Sequence, residues 1–178
     1  SAGIFAASMT SQANRSYFLD SVRYWTGDDT KIVVDNDRKN EKEYEDEQKA
    51  IDDIEKELSV DIPRFLYRPE GLKFKDYNIS KDFEYALLQY DYNDTIMTLY
   101  INKYDKETKS TGASLDGKEI ETIKLPEGEA SIQVKRIMAK GDKKASYVAY
   151  WNNSTEFYQI ESQMEEKEFI KLIKNIKF

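Results

Sequence analysis

From Leu72 onward, apolar and polar positions alternate in short runs, and turn residues separate the runs. A period of two places successive side chains on opposite faces of a strand. Strands are predicted over 72–79, 83–92, 95–104, 118–125, 130–139, 145–151 and 156–162. Pro69-Glu70-Gly71, Asn93-Asp94, Pro126-Glu127-Gly128, Gly141-Asp142 and Asn152-Asn153 supply the breaks, each with residues that fix or relax the backbone for a turn. Connections this short favour antiparallel hairpins, because a parallel crossover needs a dozen or more residues. The polar stretch 106–117 reads as a loop.

Helical spacing replaces alternation toward both ends. Phe18, Val22 and Trp25 fall at i, i+4 and i+7, which predicts a helix over 6–25. A short strand over 31–34 follows. Ile51, Ile54 and Leu58 mark a helix over 40–58 with one narrow apolar stripe. Phe169, Ile173 and Ile176, thickened by Leu172, mark a last helix over 165–177. Ser162-Gln163-Met164-Glu165 matches a capping box at its start. Glutamates early in this segment and lysines late complement the helix dipole. The expected architecture is α+β: an antiparallel sheet of six or seven strands, the C-terminal helix packed on it, and N-terminal helices. Two segments are expected, a helical one over 1–61 and the sheet-plus-helix domain over 62–178.

Composition narrows the chemistry. The 178 residues contain neither Cys nor His, which excludes thiolate nucleophiles, disulfides, imidazole metal sites and histidine general bases. Carboxylate, Lys or Tyr acid–base chemistry and all-oxygen cation sites survive. The formal net charge of -7 repels phosphate backbones, so no nucleic-acid partner is expected. The stretch 38–61 alone holds ten acidic and five basic residues, and the bland reading is a solvated helix face. No apolar run approaches the roughly 20 residues that span a bilayer, and the chain as given is expected to be soluble.

Asp28-Asp29, Asp35-Asn36-Asp37 and the Asp91/Asp94 pair lack the ligand spacing and central glycine of a calcium loop, and read as turns whose side chains close local hydrogen bonds. Asn78-Ile79-Ser80, Asn93-Asp94-Thr95 and Asn152-Asn153-Ser154-Thr155 contain glycosylation sequons and are likewise read as turns. No phosphate-binding glycine loop, GxSxG or HExxH is present. Tyr85, Tyr90, Tyr92, Tyr100 and Tyr104 crowd the hairpin around Asn93-Asp94. Cross-strand aromatic packing is their structural role; exposed, they would make a recognition surface. Tyr90, Tyr92, Tyr100 and Trp151 are the candidate binding residues, with no catalytic residue, metal or cofactor expected.

Ile62-Pro63, Tyr67-Arg68-Pro69-Glu70-Gly71-Leu72, the Tyr-rich hairpin, Tyr150-Trp151-Asn152, Tyr158-Gln159-Ile160 and Glu168-Phe169-Ile170-Lys171-Leu172-Ile173 occur in that order. Together they resemble an uncharacterised extracytoplasmic domain family of Gram-positive bacteria, in which the domain follows one membrane helix and an anti-sigma-factor-like cytoplasmic segment. The resemblance spans 62–178 and implies no catalytic residues. It implies that Ser1–Ala7 is the stub of a membrane helix, whereas the residues alone equally fit the first turns of a soluble helix. The expected function is an extracytoplasmic binding or sensor domain of a membrane-anchored protein, with signalling of anti-sigma type and an envelope ligand or protein as partner. Two rivals are an envelope glycan hydrolase with carboxylates about 5–9.5 Å apart and a module that self-assembles through the 40–58 helix. Excess chelator is expected to leave the thermal midpoint unchanged. A drop of several degrees in a melt would instead assign Asp35-Asn36-Asp37 or Asp91 and Asp94 as oxygen ligands.

Overall fold

A computed structural model describes residues 36–103, 117–125, 130–138 and 140–178, with the backbone alone over 36–42. The predicted helix over 6–25, the strand over 31–34, most of the 106–117 loop and the Pro126-Glu127-Gly128 turn lie outside the described residues.

The chain is α+β. Helix α1 (Asn36–Leu58) precedes β1 (Arg64–Phe65), and seven strands follow: β2 (Leu72–Ser80), β3 (Tyr85–Tyr92), β4 (Thr95–Lys103), β5 (Lys118–Lys124), β6 (Ser131–Ile137), β7 (Ser146–Asn152) and β8 (Glu156–Ser162). Helix α2 (Glu166–Lys174) and β9 (Ile176–Lys177) close it. Strands β2 to β8 form one antiparallel sheet in the order β2-β3-β4-β8-β7-β6-β5. Two meanders therefore meet where β4 pairs with β8, from Met97 opposite Ser162 to Lys103 opposite Glu156.

Alternation divides the central strands cleanly. Ala86, Leu88 and Tyr90 of β3, Leu99 and Ile101 of β4, Ile160 and Tyr158 of β8, and Ala149 and Trp151 of β7 share one face. Both helices pack on that face, α1 over β2 and β3 and α2 over β7. Tyr85, Leu87, Tyr100, Val148, Tyr150 and Phe157 form a second buried cluster on the other face. Strands buried on both sides read as near-continuous apolar runs, which is why Tyr85-Ala86-Leu87-Leu88 shows no alternation.

Helix α1 departs from the expected solvated helix. Ala50, Ile51, Ile54 and Leu58 are buried as a stripe, but the acidic side chains also face the sheet. Glu43 accepts from the amide of Phe74 (2.8 Å) and Asp53 from the Tyr77 hydroxyl (2.6 Å). Glu55 accepts from the Ile62 amide (3.1 Å) and pairs with Arg64 (3.1 Å), and Glu57 pairs with Lys81. Glu47, only 2% exposed, accepts from the Tyr90 hydroxyl (2.8 Å) and from the Arg68 guanidinium. A helix wheel of alternating acids and apolar residues cannot distinguish a solvated face from one aimed at donors on a sheet edge.

The Tyr67–Gly71 segment ties both helices to this edge. Arg68 holds Glu47 of α1, while the Tyr67 hydroxyl donates to Glu168 of α2 and its ring lies 4.0 Å beneath the Lys171 ammonium. Gly71 sits at φ +87, and a Cβ there would meet Asn93 Oδ1 at 2.8 Å. Only glycine adopts that backbone without strain, so the turn delivers Leu72 into β2 opposite Tyr92.

The C-terminal end is a correction in detail. Ser162 does not cap α2; it is the last residue of β8, paired with Met97 and Tyr147, and its Oγ accepts from the Met164 amide (3.2 Å). The sheet ladder outcompetes the capping box for this backbone, and the helix begins at Glu166 with no side-chain cap. Phe169, Leu172 and Ile173 are buried as predicted, but the helix stops at Lys174 and Asn175 turns the chain. Ile176 reaches the core from β9, pairing with Phe65. Spacing of i+7 allowed a third helical turn; burial by a two-residue strand satisfies the same apolar position. Among the sequons, Asn78 is a strand residue opposite Leu87 rather than a turn, whereas Asn153 Oδ1 accepts the amides of Thr155 and Glu156 in the β7–β8 turn.

Removing a buried acceptor strands its donors, and bonds to a charged group contribute about 1.5–3 kcal/mol. Glu47→Ala is expected to lower unfolding free energy by about 2–3 kcal/mol. Asp52→Ala, on the exposed side of the same helix, is expected to stay within about 0.5 kcal/mol. Urea unfolding of the two variants compares them; equal losses would show that α1 docks by its apolar stripe alone.

Candidate binding pocket

Trp151 ends the buried run of β7, and the antiparallel register sets it opposite Tyr158 of β8. The rings stack with centroids 5.0 Å apart and planes 5° from parallel. Phe178 meets both edge-on, at 6.1 Å from Trp151 and 5.4 Å from Tyr158. Edge-to-face and offset contacts of this kind add to the area they bury.

Beside these rings lies a cavity of about 410 Å³, within the range of about 300–1,000 Å³ that holds small ligands. Its walls come from three directions. The β5–β6 hairpin gives Leu125 and Ala130, the segment leading through β1 gives Asp61 and Leu66, and the C-terminal turn gives Lys174 to Phe178. Trp151 and Asn153 complete it. Leu66 and Phe178 are 68% and 44% exposed, so apolar surface continues from the cavity to solvent.

The polar atoms of this lining and of Tyr158 behind it are unevenly engaged. The Tyr158 hydroxyl donates to the Asp61 carbonyl (2.8 Å) and accepts from Asn153 Nδ2 (3.3 Å). Its pKa is raised, chiefly by burial, with the charges of Glu156 and Asp61 adding. Lys174 pairs with Glu121 of β5. The indole N–H of Trp151, a residue 2% exposed, meets no acceptor among the described residues. A buried donor without a partner costs about 1–3 kcal/mol, and such a group in a native fold calls for an explanation.

The four sequence-predicted binding residues do not converge. Trp151, Tyr158, Ile101 and Ala86 lie in one row across the sheet. Tyr90 is four residues further along β3, roughly 13 Å away in that direction alone. It is 1% exposed, packed edge-on by Phe65 (5.7 Å) and Phe74 (5.6 Å). Burial foremost, then the charge of Glu47, holds its phenol well above the ordinary value. Tyr92 is half-buried on the same face at the end of β3. Tyr100 lies on the opposite face, against Tyr85 (5.8 Å) and Phe157 (6.3 Å). Trp151 alone lines the cavity. Asp61, Leu66, Ile176, Lys177 and Phe178 were not visible as site residues, because short β1 and β9 leave no periodic signal.

No helix among the described residues is long and apolar enough to cross a membrane. No group of three or more acids among them could hold a metal ion. A family model described as a domain of unknown function (DUF4367) matches residues 62–176. No curated protein and no solved structure matches the chain.

The tyrosines carry a pH dependence. Tyr77 is pushed up to about 12, first by its bond to Asp53 and then by burial, and Tyr90 and Tyr158 are raised chiefly by burial. Unfolded tyrosine ionises near the ordinary value of about 10, so above that pH the unfolded chain loses protons the folded chain retains. Stability is therefore expected to be full below pH of about 10 and to fall progressively above it. Tyr77→Phe should flatten the part of this fall between pH of about 10 and 12. Urea midpoints measured across the alkaline range check both statements.

Proposed function

The chain belongs to the DUF4367 family, a domain of unknown function, and from that premise we propose that it is the extracytoplasmic binding or sensor domain of a membrane-anchored protein, with its ligand held beside Trp151. One observation carries the reading: a mostly apolar cavity of ligand size lined by Trp151, Leu125, Leu66 and Phe178. Pre-formed, mostly apolar pockets with a few directed polar groups are the usual form of small-ligand sites.

The acids of α1 support binding over paired-carboxylate hydrolysis. Glu43, Glu47, Asp53, Glu55 and Glu57 each hold a donor of the neighbouring strands or segments, and a general acid needs a carboxyl free to reach its substrate. The membrane anchor, the Gram-positive envelope and an anti-sigma type of output rest on the sequence resemblance from Ile62 to the last helix. In that arrangement α1 joins the ligand domain to the segment before it.

Two measurements test the proposal. Trp25→Phe leaves Trp151 as the sole tryptophan, so energy transfer to 1-anilinonaphthalene-8-sulfonate reports occupancy at the cavity. Saturable one-site binding is expected, and Ala130→Phe, which fills the lining, should abolish it while preserving the thermal midpoint within a few degrees. Binding that survives Ala130→Phe would place the probe elsewhere and remove the cavity from the function. For location, alkaline phosphatase fused after Phe178 in the full-length protein should be active in cells; an inactive fusion with intact protein would refute the extracytoplasmic assignment.

A further inference from the structure

The second face of the main sheet is buried, yet no described helix lies over it. Tyr85, Leu87, Tyr100, Val148, Tyr150 and Phe157 of its cluster all stand on strands, while α1 and α2 pack on the opposite face. Val148 is nonetheless 1% exposed and Tyr100 4%. Register puts Gln89, Thr98 and Glu161 in one row with Val148 on this face, and all three are buried as well. Strand neighbours shield the flanks of a side chain but leave its tip open, because side chains stand perpendicular to the sheet. Burial this deep in one chain points to a cover supplied by the chain itself. The cover must also be partly polar. Both polar atoms of the Gln89 side chain lack a partner among the described residues, hydrocarbon would leave them so, and the Glu161 carboxylate favours a cation nearby.

Two long stretches lie outside the described residues. Residues 104–116 offer Tyr104 and Leu115 as large apolar side chains, and two lysines against three acids. Residues 6–25 offer Phe18, Val22 and Trp25 at helical spacing, and Arg15 and Arg23 against Asp20. On that helical stripe Ser11, Asn14 and Arg15 precede Phe18 at i−7, i−4 and i−3, so one half is polar and the other apolar. The reach also fits. Helix α1 begins at Asn36, seven residues before Glu43, which accepts from the Phe74 amide on edge strand β2. Layers on the two faces of a sheet lie about 20 Å apart, each about 10 Å from it. Residues 26–35, extended, span up to about 33 Å, enough to round β2. We propose that residues 6–25 dock as a helix on the second face, Phe18, Val22 and Trp25 against its aromatic cluster and the polar half of the stripe over Gln89, Thr98 and Glu161. The sheet is then a middle layer between helices, and the segment before α1 belongs to the domain rather than serving as a spacer. This docking is independent of the cavity beside Trp151.

Photocrosslinking of the intact chain tests the contact directly. With p-benzoylphenylalanine in place of Val22, irradiation and peptide mapping are expected to give crosslinks within one chain to Leu87, Tyr100, Val148 or Tyr150. Crosslinks to α1, α2 or the face they cover would overturn the docking, as would the absence of any crosslink. Crosslinks only between chains would assign the cover to a second copy and overturn it equally. Acrylamide quenching gives an independent readout. Trp151 is 2% exposed and shielded in either case, so quenching of the unsubstituted chain reports Trp25. Weak quenching is expected, rising severalfold in Val22→Asp with the urea midpoint of the sheet still measurable. Strong quenching of Trp25 in the unsubstituted chain would show the segment lying free of the sheet.

Discussion

The fold is organised around a carboxylate that must not be left alone. Glu47 is withdrawn from water inside the α1–sheet contact. An unpaired buried charge costs far more than the contact could return, so its position is tolerable only with donors at fixed places. Tyr90 supplies one from β3 and Arg68 the other from the segment before β2. These three residues fix the rotation of α1 over β2 and β3, and with it which side of the helix presents Ile51 and Ile54 to the core. A mispacked helix would bury the charge without partners.

From Arg68 the constraint spreads along the chain. Tyr67, one residue earlier, is bound to Glu168 and covered by Lys171 of α2, so both helices are referred to one short segment. Phe65 sits in β1 against Ile176 of β9, and that small sheet supplies two walls of the cavity through Leu66 and the C-terminal turn. The left-handed Gly71 is the hinge of this arrangement, because the chain must leave the helix-binding segment and enter an edge strand within two residues.

The strands were legible in the sequence because turn chemistry bounds them and their aromatic and β-branched residues suit pleated, buried surfaces. All seven strands of the main sheet stand within two residues of the predicted spans. Three things were not legible. The acids of α1 read as a solvated face, since their donors, Phe74 N, Tyr77, Tyr90 and Arg68, lie in separate later segments. The capping box at Ser162 was a valid local pattern overruled by ladder pairing on both sides of β8. The cavity combines Asp61, Leu66, Trp151 and Phe178, and only the tryptophan stood out by type. Tyr90, Tyr92 and Tyr100 stood out equally, yet register sets Tyr100 on the other face and Tyr90 beneath α1.

The residues just before the Tyr67–Gly71 segment, Asp61 to Arg64, link the cavity to α1. Tyr158, stacked on Trp151, donates to the carbonyl of Asp61. The next residue, Ile62, donates its amide to Glu55 of α1, and Arg64 bonds the Ile62 carbonyl (2.8 Å) while pairing with Glu55. Lys103, at the end of β4, donates to the last carbonyl of α1, that of Leu58 (3.1 Å). Residues 61–64 are thus bonded on one side to Tyr158, which stacks on Trp151 of the cavity wall, and on the other to the C-terminal end of α1. Coupling between sites requires an element whose arrangement both of them bias. Among the described residues, 61–64 are the connection that is bonded at both ends, to Tyr158 on the sheet and to Glu55 on the helix.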